Sequence, residues 1–375
     1  MPTDCHVPER LRMTPGPTEI PPAVRERLAE PVPNPDLEPE FFECYRALAD
    51  KLTRIHTADA DGSTATDGRD TAVLAGEGIL GLEAAIDSLV SPGDRVLCLS
   101  NGRYGDGFAD FVTQYDGDPV TCAVPWDETL DRDTVETSIE DADEPFDVAT
   151  MVHCETPTGT LNDLGPILDV LNDHGIISVV DAVSSLAGTP VPTDRIDVCL
   201  GASQKCFSAP PGLSTATISE RAWDRIETVE NRAHYTNLTP WRTAADEDEE
   251  WFPYTHMAAN IRALDAAADQ ILEEGPAQVF ERHREVAAHC RDRAADLGLE
   301  PYPTATDDCS PTVTALEYDG SATDLQETLR EEHDIVLATG LGDLEDDIIR
   351  VGHMGYNARR ELVDETMDAL ATVLE

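Results

Sequence analysis

The chain has 375 residues, 41% of them hydrophobic, with 75 acidic against 26 basic side chains and a formal net charge of −49. That apolar content suffices for a large core and two domains, which excludes a disordered acidic tail. So negative a chain also argues against nucleic acid or an anionic membrane surface as partner.

The acids are spread along the whole chain, with one local run at 246–250, whereas lysine survives only at Lys51 and Lys205. Molar salt shortens the screening length to about 3 Å and makes such a surface tolerable. The acid-rich, lysine-poor, arginine-retaining composition therefore reads as adaptation to a high-salt cytoplasm. Nine cysteines form no C-x-x-C pair and no His/Cys cluster at zinc spacing, which reads as reduced thiols and no metal site. The N-terminus lacks the charged-then-apolar pattern of a signal peptide, and no apolar run nears the ~18 residues of a membrane span. The expected location is the cytoplasm.

In chain order, "MTPGPTEIPP" (13–22) is too proline-rich for a helix and reads as part of an arm, residues 1–20, lying on a larger body. A second proline-rich piece, 31–39, separates a short helix from a longer one around 41–55. From Ala72 the texture changes: "AVLAGEGILGLEAAIDSLVSPGDRVLCLSNG" predicts strand, Gly-x-Gly turn, amphipathic helix, turn and apolar strand. A glycine turn feeding a helix N-terminus offers free N–H groups and a positive dipole end to a phosphate, although Gly76-x-Gly78 alone is a weak signal. The alternation continues with strands at 148–153, 176–181, 198–203 and 214–219 and helices at 163–174 and 220–229. This predicts an α/β fold whose mostly parallel sheet is covered by helices. Ligands gather at the carboxyl ends of such strands, where Glu155, Asp181 and Lys205 fall. Two long helices broken at Gly275-Pro276 lead to a compact α+β unit, with strands at 312–318, 335–337 and 348–351, a helix at 324–332 and a final helix from Ala358. The expected division is the arm, a large cofactor-binding domain over 21–275 and a small C-terminal domain over 276–375.

The stretch "GASQKCFSAPPGL" (201–213) carries Lys205 between a β-like run and a Pro-Pro-Gly turn, a loop position suited to chemistry. A primary amine held there forms a Schiff base with an aldehyde once burial or neighbours lower its pKa. Arginine replaces lysine wherever charge alone is needed, but it is too basic for this task. Asp181 closes another apolar strand in "SVVDAVSS" and is costly there without a cationic or hydrogen-bonding partner. Lysine, aspartate and glycine turn together are what pyridoxal phosphate needs: an amine for its aldehyde, a carboxylate for its pyridine nitrogen and a helix end for its phosphate.

With "PGPTEIPP", "GEGILGLEAAIDSLVSPGDRVL", "NGRYGDGF", "HCETPTGTLN", "VVDAVSSL", "GASQK", "APPGLS" and "IRVGHMG", the chain resembles, nearly end to end, the class V, fold-type I aminotransferases of the alanine–glyoxylate, serine–glyoxylate and serine–pyruvate group. The resemblance implies a fold-type I large domain with a small α+β domain and pyridoxal 5′-phosphate as cofactor. It implies transamination between a small amino acid, alanine or serine, and a 2-oxo acid, glyoxylate or pyruvate. It also implies a homodimer with its active site at the subunit interface. Lys205 would be the Schiff-base lysine and proton carrier, Asp181 the partner of the pyridine nitrogen, and Val183 and Tyr104 the packing on the two ring faces. Thr156 would approach the phenolic oxygen. Gly78 and Ile79 would give amides and Gln204 a side-chain donor to the phosphate, with Tyr254 and Thr255 reaching it from the partner subunit. Arg350 matches the arginine that grips the substrate carboxylate, and Gly16 belongs to the arm segment on the substrate side.

Two departures stand out. Glu77 occupies the phosphate turn where relatives carry a small polar residue, with Ile79 where a hydroxyl or imidazole is common, and a carboxylate repels a phosphate dianion. Glu77 therefore points away or meets a cation, although acids are also favoured in a first helical turn. "DLEPEF" (36–41) stands where the family reads His-Arg-x-x-Glu-Phe. Two other readings stay open: cysteine desulfuration, since Cys309 lies in a C-terminal loop, although Gln204 stands where desulfurases carry histidine, and a non-catalytic cofactor-binding relative.

Overall fold

Runs such as 96–99, apolar at successive positions, are satisfied only in a sheet covered on both faces. Val96, Leu97, Cys98 and Leu99 are fully buried in such a sheet. The computed structural model describes residues 8–230, 233–244, 246 and 250–374. The start of the arm and most of the acidic run 246–250 lie outside the described residues.

The chain runs through β1 (Leu11–Arg12), α1 (Pro22–Leu28), α2 (Pro39–His56), β2 (Arg69–Ala75), α3 (Gly78–Leu89), β3 (Arg95–Ser100), α4 (Arg103–Gln114), β4 (Asp118–Ala123) and α5 (Arg132–Glu140). It continues with β5 (Val148–Val152), the short pair β6 (Cys154–Glu155) and β7 (Thr160–Leu161), α6 (Leu164–Asp173), β8 (Ile177–Asp181), β9 (Val198–Ala202), β10 (Leu213–Ser219) and α7 (Glu220–Ile226). Among the described residues the main sheet has seven strands in the order β2-β10-β9-β8-β5-β3-β4. It is mostly parallel, as expected, and β10 alone runs against its neighbours. The reason is local: residues 203–212 join β9 to β10 with no crossover helix, and a connection that short can only return antiparallel. Residues 103–147, to which the sequence pattern assigns no element, supply α4, β4 and α5. The glycines of "NGRYGDGF" dilute the helical pattern there.

The C-terminal part holds α8 (Ala258–Glu274), α9 (Pro276–Asp296), β11 (Thr314–Glu317), α10 (Ala322–Glu332), β12 (Ile335–Val336), β13 (Ala338–Thr339), β14 (Ile348–Val351) and α11 (Arg360–Leu374). The strand expected at 335–337 is divided: β13 pairs with β14, whereas β12 pairs in parallel with β1 of the arm. Met13 of the arm is fully buried in the smaller of two hydrophobic clusters, together with Leu316, Ile349 and Met367. The larger cluster surrounds the main sheet. The arm is thus threaded between the two: the Gly352 amide donates to Met13 O at 2.7 Å, and the Thr18 amide donates to Gln204 O at 3.1 Å. A Cβ at Gly352 would lie 2.2 Å from the Thr14 carbonyl carbon, so that crossing requires glycine.

Candidate active site

β2, β3, β5, β8 and β9 all end at one edge of the sheet, and the segments leaving them line a cavity of about 330 Å³. All the residues that the resemblance assigns to the site line it except Tyr254, Thr255 and Arg350, whereas Glu155 and Cys309 lie outside it. The Lys205 amine donates to Pro15 O at 2.6 Å, so the arm seats the lysine directly. Gly16, at φ +100°, makes room for it: a Cβ there would lie 2.4 Å from Lys205 Cδ. Burial pushes the Lys205 amine down to about 8, nearby Arg350 acts in the same direction and Asp181 opposes it. Asp181 is 5% exposed, and its Oδ1 accepts the Val183 amide at 2.8 Å. Burial raises this carboxyl to about 6, against the opposing pull of the Val183 amide and Lys205.

Tyr104 sits in the first turn of α4, and its position is set by Glu155, which the sequence places at a strand end without revealing its task. The fully buried Glu155 carboxylate accepts the amides of Gly105 at 2.7 Å and Tyr104 at 3.2 Å, holding the α4 N-terminus against β6. Burial raises Glu155 to about 7 even though both amides work to lower it. A Cβ at Gly102 would lie 2.4 Å from the Glu155 carboxyl carbon, which accounts for a glycine in the Asn-Gly-Arg-Tyr motif. The Thr156 hydroxyl is hydrogen-bonded to Ser184, and Gln204 Oε1 is buried with no partner among the described residues.

Arg350, on β14, is 6% exposed; its Nε donates to Thr339 O at 2.6 Å and its Nη1 to Thr156 O at 3.1 Å. Among the described residues no carboxylate pairs with it, so it is not a surface salt bridge. Burial lowers its guanidinium to about 10, a cost that an anionic ligand would relieve. The structure does not bring Tyr254 and Thr255 to this chain's cavity. The Tyr254 hydroxyl accepts the Ala75 amide at 3.0 Å, and Thr255 donates to Asp36 at 2.8 Å, within the segment that departs from the family pattern. Cys309 is half-buried, its thiol donates to Ala305 O, and burial raises its pKa, the opposite of what a thiolate nucleophile needs.

A pyridoxal ring fits these residues: a seated amine for its aldehyde and a buried carboxyl for its ring nitrogen, with the unpartnered Gln204 amide oxygen in the same cavity. In the turn opening α3, Glu77 takes the helix-terminal role rather than meeting a cation: it is exposed and caps the helix, its Oε1 accepting the Ile79 amide at 3.2 Å.

Residues 82–354 match the family described as Aminotransferase class-V. The chain is 32% identical over 360 residues to the pyridoxamine–pyruvate transaminase of Mesorhizobium japonicum, covering 94% of this chain and 88% of that protein. A solved alanine–glyoxylate aminotransferase from Nostoc sp. superposes with a TM-score of 0.92 at 28% identity, over 99% of this chain and 96% of that one. A ureidoglycine–glyoxylate aminotransferase from Bacillus subtilis does so with a TM-score of 0.92 at 27% identity, over 99% and 94%. The chain belongs to the class V aminotransferase family, with the fold-type I architecture and pyridoxal phosphate dependence of that class.

Proposed function

We propose that the chain moves an amino group between a small amino acid, alanine or serine, and a 2-oxo acid, pyruvate or glyoxylate, at Lys205. The observation that carries this reading is the meeting of three groups: the Lys205 amine seated by Pro15, the buried Asp181, and an Arg350 without a carboxylate partner. Bound in this cavity, pyridoxal phosphate supplies an aldehyde carbon for the lysine and a ring that takes up electrons when the substrate Cα–H bond breaks. Lys205, lowered to about 8, releases and takes up a proton near neutral pH and serves as the base at Cα. Asp181 holds a proton on the ring nitrogen, and Arg350 binds the substrate carboxylate as a planar fork. Tyr104, fixed through Glu155, and Val183 wall the ring. The names of the relatives support the acceptors, pyruvate in one and glyoxylate in two.

The same reading makes the protein a homodimer in a high-salt cytosol. Exposed apolar residues support a partner: Ile79 lines the cavity, Met257 lies beside Gly212, which follows the lining residue Pro211, and Tyr235 stacks on Tyr254 at 4.2 Å. Tyr254 and Thr255 would complete the other subunit's site. No helix among the described residues is long and apolar enough to cross a membrane. The test is direct: cofactor-loaded protein in molar salt is mixed with alanine or serine. Loss of the aldehyde-state absorbance, restored by pyruvate or glyoxylate, is expected; unchanged absorbance with both donors overturns the reading.

A further inference from the structure

Two acceptors stand at a cavity where a phosphate needs donors. Glu77 Oε1 already takes the Ile79 amide at the N-terminus of α3, the amide that the resemblance assigns to the cofactor phosphate. Glu77 lines the cavity, and so does Gln204, which is 7% exposed and has its Oε1 without a partner. Among the described lining residues Lys205 alone is basic, and its amine is committed to the aldehyde end. A phosphate dianion offers only acceptors. It must compete with the Glu77 carboxylate for one amide, and the two repel each other. A neutral hydroxyl has the opposite match, because its hydrogen can be donated to a carboxylate or amide oxygen, and a carboxylate oxygen holding one N–H keeps lone pairs for another donor.

We propose that Glu77 sets this cavity to hold the phosphate-free ring, pyridoxamine or pyridoxal, through its 5′-hydroxyl, so that free pyridoxamine serves as an amino donor. This rests on the reading that Lys205 and Asp181 serve the ring, and it concerns only what the ring carries at its 5′ carbon. The phosphate ester remains one of two forms the cavity receives, and the hydroxymethyl form is the better held. In the reaction the C4′–N bond of pyridoxamine breaks and a C–N bond forms at C2 of the oxo acid. C4′ is oxidised to the aldehyde while C2 is reduced to the amino-acid carbon. The hydrogen leaving C4′ reaches C2 by way of the Lys205 amine, and the oxo oxygen is exchanged for nitrogen through water. Pyridoxamine and a 2-oxo acid become pyridoxal and an amino acid, with no external oxidant.

The test is a spectrophotometric titration of the purified chain with pyridoxal and, separately, with its phosphate, with borohydride trapping to locate the ring on Lys205. Wild type is expected to hold pyridoxal at least about tenfold more tightly than the phosphate, and Glu77→Ser and Glu77→Gln are each expected to reverse that order. Pyridoxamine with pyruvate is expected to yield pyridoxal and alanine in equal amounts. A wild type that prefers the phosphate, with a preference unmoved in both variants, overturns the inference while leaving transamination at Lys205 intact. Failure of both rings to trap on Lys205 overturns the functional reading itself, and this inference with it.

Discussion

Lys51 and Lys205 sit in opposite surroundings. Lys51 Nζ lies 2.6 Å from Asp265 and 2.7 Å from Asp269, a charge bridge that arginine could also make. Lys205 has a carbonyl for its partner, no carboxylate within ion-pair distance among the described residues, and a lowered pKa. Lys205→Arg is therefore expected to keep the fold and lose turnover by about 10³-fold or more, whereas Lys51→Arg leaves turnover unchanged; steady-state rates for both decide it. Arg350→Lys keeps a positive charge but loses the fork. It is expected to raise KM for the amino donor by about tenfold or more with a smaller change in kcat, and an equal fall in kcat with unchanged KM would contradict its role at the carboxylate. Lys205 and Asp181 are legible in the sequence because each breaks a local rule, a lone lysine in an arginine-using chain and an acid closing an apolar strand. Glu155 breaks no such rule. Its task depends on amides in α4 about fifty residues away, and nothing in local pattern connects them.

Among elements, α4 and the arm are the ones that position the site. Glu155 holds the start of α4, and its folded pKa is raised from 4.5 to about 7. The folded chain therefore binds more protons than the unfolded chain between those values. Its contribution to stability falls as pH rises through that window, and the cost is fully present above it. Asp181, raised from 3.8 to about 6, adds a slope of the same sign over a lower window. Burial lowers the pKa of His56, His153, His256, His283 and His353 and gives the opposite slope below the ordinary histidine range, so the test is the difference between variant and wild type. In the cofactor-free protein the change in Tm from pH 5 to 7 is expected to be more positive in Glu155→Gln, and an unchanged difference would contradict the assignment. In the arm, Gly16→Ala pushes a Cβ into Lys205 Cδ at a backbone conformation that disfavours side chains. Turnover is expected to fall by about a hundredfold or more with a smaller loss of Tm, measured on one preparation. The sheet strands other than β4 are legible because burial on both faces leaves nearly continuous apolar runs, whereas β4 lies at the sheet edge, is mostly uncovered and carries no such run. The arm's seat is not legible, since its acceptor is the backbone carbonyl of Pro15, and a carbonyl carries no residue-specific signal.

At the scale of the molecule, a net charge of −49 repels itself, and salt screens that repulsion. The proposed high-salt setting predicts that Tm rises steadily from low to molar potassium chloride; a flat or falling Tm would place the protein elsewhere. The proposed dimer predicts twice the chain mass by sedimentation in the same salt. Passage of the amino group through Lys205 can be counted in a single half-reaction. Ring-loaded wild type and Lys205→Arg are mixed with alanine or serine in molar salt, and the 2-oxo acid released per subunit is counted. Stoichiometric pyruvate or hydroxypyruvate from wild type with none from the variant is the expected result, and equal release from both would mean that the amino group does not pass through Lys205.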